Sequence, residues 1–153
     1  MPNLLIVANC PSKNTRALHR AVCAGAARDE ISGIKTRASE PPDAAADDVL
    51  WADGVILGTT ENFGYMSGQV KDFLERVYYP CLEKTEGLPA ALYVKGGLDG
   101  TGAKTSMERI IGGMKWKLVR PTLVLKGDFR ADFLPQCEEL GALMAAGLEA
   151  GIF

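Results

Sequence analysis

Gly54-Val55-Ile56-Leu57-Gly58, then Thr59-Thr60-Glu61-Asn62-Phe63-Gly64-Tyr65-Met66-Ser67-Gly68-Gln69, then Val70-Lys71-Asp72-Phe73-Leu74-Glu75-Arg76: in this stretch an apolar run gives way to a polar segment and then to an amphipathic repeat. The unbroken apolar run marks a strand buried on both faces, as in a parallel sheet. The polar segment predicts a loop from Thr59 to Gly68. Val70, Phe73, Leu74, Val77 and Cys81 then recur at i, i+3, i+4, i+7 and i+11, which predicts a helix with Ser67 as its N-cap. Strand, loop and helix in this order make one unit of an α/β fold.

The same unit recurs on both sides. Leu4 to Ala8 is a second doubly buried strand, followed by the turn Asn9 to Asn14 and a helix with Leu18, Ala21, Val22 and Gly25 on one face. Ile31 to Ala38 carries a weaker strand pattern, broken by Glu40-Pro41-Pro42-Asp43 before a short helix from Ala44 to Leu50. Pro89 to Val94 predicts a further strand, and Met107, Ile110, Ile111 and Met114 a helix ended by Gly112-Gly113. Trp116 to Leu125 contains the last strand, which Pro121 confines to an edge. A final helix shows Cys137, Leu140, Met144 and Leu148. Five strands alternating with helices predict a three-layer α/β sandwich with a five-stranded parallel sheet in the order 2-1-3-4-5. No linker or repeat divides residues 1–153, so a single domain is expected.

Composition narrows the function. With 17 basic and 19 acidic residues the net charge is −2, which gives no basic stripe for nucleic acid. A single histidine, His19, rules out a histidine-rich metal centre. Cys10, Cys23, Cys81 and Cys137 form no CxxC pair, so reduced thiols in a cytoplasmic protein are expected. No apolar run reaches the roughly 18 residues of a membrane span, and the amino terminus reads as a buried strand and not a signal peptide. His19 lies off the apolar stripe of its helix and is expected to be solvated.

In such a sheet a ligand sits beyond the carboxyl ends of the strands, where the strand order reverses. That directs attention to the loops after strands one, three and four. The first, with Ser12, Lys13, Asn14, Thr15 and Arg16, leads into a helix whose free amides attract an anion. It matches neither GxxxxGK[ST] nor GxGxxG, which disfavours a nucleoside triphosphate or a Rossmann dinucleotide; a monophosphate suits so compact a turn. Ser12 and Thr15 read equally well as plain helix caps.

The second loop carries a resemblance. Gly58-Thr59-Thr60, Phe63-Gly64-Tyr65-Met66-Ser67-Gly68, Lys71, Phe73 and Glu75-Arg76 resemble the flavodoxin family, and within it the small FMN-dependent NAD(P)H oxidoreductases and quinone reductases. In that branch the third strand ends G-T-P/T and continues F-G-x-M-S-G-x-x-K-x-F-hydrophobic-D/E-R. The resemblance spans the chain as topology and is specific from Gly54 to Tyr79. It implies noncovalent FMN, with the phosphate on Ser12, Lys13, Asn14, Thr15 and Arg16. The ring would lie between Thr60, Glu61, Asn62, Phe63, Gly64, Tyr65 and Ser67 on one side and Gly96, Gly97, Asp99 and Gly100 on the other. It also implies NAD(P)H as donor, a quinone or redox protein as acceptor, and a homodimer. No catalytic acid or base is indicated, because the flavin carries the chemistry.

The alternatives differ in class. An electron carrier without its own NAD(P)H turnover, or a flavin-binding module, would use the same site. The tryptophan and tyrosine that sandwich the ring in carriers are not identifiable; Trp51 and Trp116 read as packing residues. Cys10 and Arg16 have the C-x5-R spacing of low-molecular-weight phosphatases and arsenate reductases. However, Ala17 follows where that family has Ser or Thr, and Pro11 interrupts the amide donors. A receiver domain needs acidic residues after strand one and an aspartate after strand three, where this chain has Asn9-Cys10 and Thr59-Thr60.

Overall fold

A computed structural model describes residues 1–153. The strands are β1 (Asn3–Ala8), β2 (Lys35–Ser39), β3 (Gly54–Asn62), β4 (Tyr65–Met66), β5 (Pro89–Gly96), β6 (Lys117–Leu118) and β7 (Leu123–Lys126). The helices are α1 (Lys13–Ala26), α2 (Ala46–Trp51), α3 (Gly68–Cys81), α4 (Thr101–Gly113) and α5 (Phe133–Glu149), with a 3₁₀ turn at Pro41–Asp43. The sheet runs β2-β1-β3-β5, and β6 and β7 both pair with the outer side of β5. All these pairings are parallel. The five expected strand positions and their order are therefore present. The fifth is split in two because Pro121 has no N–H for the ladder.

Strand alternation sorts the core into two layers. Leu4, Ile6, Ala8, Ile56, Ala91 and Tyr93 face α1 and α5, whereas Leu5, Val7, Val55, Leu57, Leu92 and Val94 face α3 and α4. Helices α1 and α5 pack closely: a Cβ on Gly25 would lie 1.8 Å from the Glu138 carbonyl oxygen, and one on Gly141 1.9 Å from that of Val22. Tyr93 lays its ring over Gly58, its register partner on β3. Arg76 of α3 donates to the Pro41 and Ala44 carbonyls, each at 2.8 Å, and so ties the segment before α2 to the helical layer. No helix is long and apolar enough to cross a membrane.

Three elements differ from the sequence expectations. Strand β2 begins at Lys35, not Ile31; Ile31 and Ile34 pack on the α1/α5 core outside the strand. This edge strand is mostly exposed, and its Arg37 stacks 4.0 Å from the Trp51 ring and bonds Asp48 at 3.1 Å, the kind of charge that blunts an edge. Helix α2 starts at Ala46, because Pro41-Pro42 favours the 3₁₀ turn first. The third difference is the segment after Thr59, which continues as strand and folds into a hairpin, β3 to β4.

Candidate functional site

The carboxyl ends of β1, β3, β5 and β7 open into a polar crevice of about 340 Å³. Its first wall is the start of α1. Ser12 caps this helix: its hydroxyl accepts from the Thr15 amide at 3.1 Å, and the Thr15 hydroxyl accepts from the Ser12 amide at 3.0 Å. Such a box satisfies two of the donors that a helix start leaves unpaired. The Lys13 and Asn14 amides find no acceptor in the chain. Ser12 and Thr15 are thus caps, and the free donors beside them are main-chain N–H groups. Asn9 fastens this loop to β3 by donating to Thr60 Oγ1 at 3.1 Å and accepting from the Thr60 amide at 3.0 Å.

The second wall is the hairpin. Phe63 and Gly64 form its turn with φ of 53° and 70°. Two successive positive φ values are what a tight two-residue hairpin requires, and this turn chemistry replaces the expected loop. Phe63 pays a steric cost in that region and is fully exposed, touching neither core nor crevice. Asn62 folds back on Thr60, whose hydroxyl donates to Asn62 Oδ1 at 3.0 Å. Tyr65 is partly exposed at 40% on the returning strand. Ser67 is buried and caps α3 through the Val70 amide at 3.1 Å, while its own amide donates to Thr59 Oγ1 at 2.9 Å. Of its two expected roles, the cap is the one its contacts fill.

The third wall is the turn Gly96–Gly100. Gly100, at φ 72°, precedes α4, and Asp99 Oδ1 accepts the Thr101 amide at 3.0 Å. That amide holds the Asp99 carboxyl below the usual carboxylate range. Gly97 has no heavy atom within 4 Å of where a Cβ would stand, so the backbone here is open to a flat partner. Glu61 reaches across from β3: its Oε1 accepts from the Leu98 amide at 3.4 Å and lies against Gly96. Behind the turn, α4 meets the hairpin so closely that a Cβ on Gly102 would be 1.7 Å from the Gly64 carbonyl oxygen.

The crevice therefore brings together Ser12, Asn14, Thr15, Thr60, Glu61 and Gly97. It does not gather Lys13 and Arg16, which line a separate groove between α1 and α5 with Arg20, Leu134 and Glu138. The cap Ser12 with residues 14 and 15 of α1 faces the sheet end while 13 and 16 line the other groove, apart from the crevice beside which Lys13 or Arg16 was expected to add charge. Lys95, Gly127, Asp128 and Phe129 line the crevice and were not among the expected residues. The loop after the last strand lies outside the three that the sequence singles out, those after strands one, three and four. Strand parity at Lys95 was the available signal.

Other expectations resolve in the same geometry. The Cys10 thiol is buried and turned to the Ala8 carbonyl at 3.6 Å. Burial, with the Glu40 carboxylate nearby, pushes it up to about 11. A nucleophilic cysteine needs the opposite shift, and Arg16 lines another groove, so no phosphatase centre forms. His19 is half-buried and not solvated; its Nδ1 lies buried without a partner, and burial holds its pKa below the ordinary value. Trp116 is a packing residue, donating from Nε1 to Thr85 Oγ1 at 2.9 Å.

A family model described as NADPH-dependent FMN reductase matches residues 5–129. A flavodoxin of Aquifex aeolicus is 27% identical over 111 residues, covering 72% of this chain and 59% of that protein, so the match spans little more than half of that curated relative. Among solved structures, a flavodoxin from the domain Archaea superposes with a TM-score of 0.82 at 18% identity, over 96% of this chain and 99% of that one. The flavodiiron protein from Giardia intestinalis gives 0.80 at 17% identity, over 97% of this chain but 36% of that one. These two likenesses establish the shared fold.

Proposed function

The chain belongs to the NADPH-dependent FMN reductase family and is an FMN-binding flavoprotein; from this we propose that it is an NAD(P)H-dependent oxidoreductase that passes electrons through FMN to a quinone or a similar small acceptor. The observation that carries the reading is one juxtaposition. A helix start with its free Asn14 amide, of the kind that attracts an anion, opens into the same crevice as the backbone around Gly97.

The residues present suit the cofactor. The free main-chain amides at the start of α1 make a donor set for a phosphate dianion. The bare backbone at Gly97 and at Gly64, neither with a heavy atom within 4 Å of a Cβ position, suits the face or edge of a planar ring. In this reading the phosphate rests on Ser12 to Thr15. The ring lies between Thr60–Tyr65 and Gly96–Gly100, with Ser67 and Asp99 as supports that hold the two walls. When bound, FMN would accept the hydride from NAD(P)H and hand its two electrons to the acceptor. The chain's own work is to hold and orient it. The Asn9–Thr60 latch fixes the first wall to the second, Glu61 sets the spacing of the second and third, and α4 buttresses the hairpin tip.

The rival reading is an electron carrier at the same site, consistent with the flavodoxin names of the relatives. Mixing the FMN-loaded protein with NADPH or NADH under anaerobic conditions separates the two. Bleaching of the flavin band within the time of turnover, followed by reoxidation with a quinone, supports the reductase. Bleaching only by dithionite supports the carrier. The homodimer belongs to this proposal and is read by light scattering at the FMN-loaded stage.

A further inference from the structure

Lys95 is the penultimate residue of β5, and strand parity sets the face it occupies. Tyr93 and Ala91, two and four residues earlier, belong to the core beneath α1 and α5. Lys95 continues that series and so lies on the side of the sheet that carries the start of α1. Thr60, its register partner on β3, follows Ile56 on the same side. The Lys95 ammonium donates to the Gly127 carbonyl and lies 3.5 Å from that of Gly96. None of the ion pairs in the protein includes it, although Glu61 and Asp128 line the same crevice.

An ammonium tied only to carbonyl oxygens keeps its whole charge and at least one free N–H. It shares a crevice of about 340 Å³ with the amino end of α1 and its unpaired amides. Two positive ends around one polar space repel each other unless an anion lies between them. We infer that Lys95 is the counter-ion of the FMN phosphate, reaching it from the sheet while α1 holds it from above. This rests on the FMN reading and deepens it. The charge that Lys13 and Arg16 were expected to supply comes instead from a strand two positions across the sheet, because those two side chains line the groove on the other side of α1.

The test compares FMN with riboflavin, which has the same ring and no phosphate. Wild type and Lys95→Gln are each titrated with both flavins, following the quenching of flavin fluorescence. A hydrogen bond to a charged group predicts that the substitution weakens FMN by roughly tenfold or more and leaves riboflavin within about twofold. Lys95→Arg, which keeps the charge, retains most of the preference for FMN. Equal weakening of both flavins, or no change in either, overturns the role of Lys95 while wild-type FMN binding leaves the parent reading intact. A wild type that takes up neither flavin overturns both. Should Lys95→Gln fail to fold, wild-type protein labelled with ¹⁵N-lysine carries the test. One side-chain ammonium resonance shifts on adding FMN and not on adding riboflavin; lysine resonances that respond alike to both flavins refute the contact.

Discussion

Gly102→Ala is the substitution whose outcome the structure determines most sharply. The new Cβ would stand 1.7 Å from the Gly64 carbonyl oxygen and 2.6 Å from its carbon, where ordinary contact begins at 3.4 Å. One side must therefore retreat by roughly 1.7 Å, a displacement larger than packed interiors accept without cost. Helix α4 is anchored by Ala103, Met107 and Ile111, all essentially buried. The hairpin is held by two ladder pairs, Glu61 with Met66 and Asn62 with Tyr65, and its tip at Phe63 is in solvent. The hairpin moves. Overpacking costs about 1–3 kcal/mol, and exchanging glycine for alanine in a helix returns about 1 kcal/mol. Net destabilisation is then about 0–2 kcal/mol, small enough to leave the protein folded. Because the displaced wall is the one assigned to the ring, FMN and riboflavin should weaken together, by roughly tenfold if the shift removes a hydrogen bond or a stacking contact. Urea unfolding and flavin fluorescence titration read the two quantities. A variant that is more stable than wild type and binds both flavins unchanged would refute the close approach of hairpin and helix and the assignment of the hairpin to the site.

Thr15→Asp should fold well, since a carboxylate can take the Ser12 amide and suits the helix start, yet it should weaken FMN by at least roughly tenfold through repulsion and spare riboflavin; unchanged FMN affinity would remove α1 from the phosphate site. Cys10→Ser should bind FMN as wild type does, because the thiol faces the Ala8 carbonyl; a large loss of affinity would contradict that placement. Cys10 and Cys137 are pushed from the ordinary value of 9.0 up to about 11 and about 12, both by burial and Cys10 also by the Glu40 carboxylate. Each then binds its proton more tightly folded than unfolded, so the stability it contributes is complete below pH 9 and is lost as pH rises through 9 towards 11 and 12. The urea midpoint should fall steadily across that range, and a flat profile would refute the burial of both thiols. Gly25→Ala, whose Cβ would meet the Glu138 carbonyl oxygen at 1.8 Å, should cost roughly 1–3 kcal/mol by prying α1 from α5; a neutral thermal melt would deny that packing.

The sheet was legible because its central strands announce themselves as unbroken apolar runs. Leu4–Ala8, Gly54–Gly58 and Pro89–Val94 are each flanked by short polar turns, and doubly covered parallel strands demand this pattern. Pro121 was equally readable: it marked the edge and also split that strand. The hairpin was not, because Phe63 sits at a positive φ that its residue type disfavours, so nothing in the composition of the turn separated it from an open loop. The site was legible in its frame and less so in its charges. Loop position and glycine content identified the three walls. Which side of α1 each residue occupies depends on the helix phase set by Ser12, and that phase sends Lys13 and Arg16 away from the crevice. Lys95 was hidden for the complementary reason, since a lysine closing an apolar strand reads as a solubilising end. Tertiary parity and its shared crevice with α1 give it meaning.

The central claim is that this chain holds FMN at the carboxyl edge of its sheet. The direct measurement is the absorbance spectrum of purified protein, mixed with FMN and passed through gel filtration to remove free cofactor. The account predicts flavin bands that travel with the protein at about one FMN per chain, with a band shape altered from that of free FMN by the protein environment. A colourless protein peak, with all the flavin in the small-molecule fraction, would contradict it.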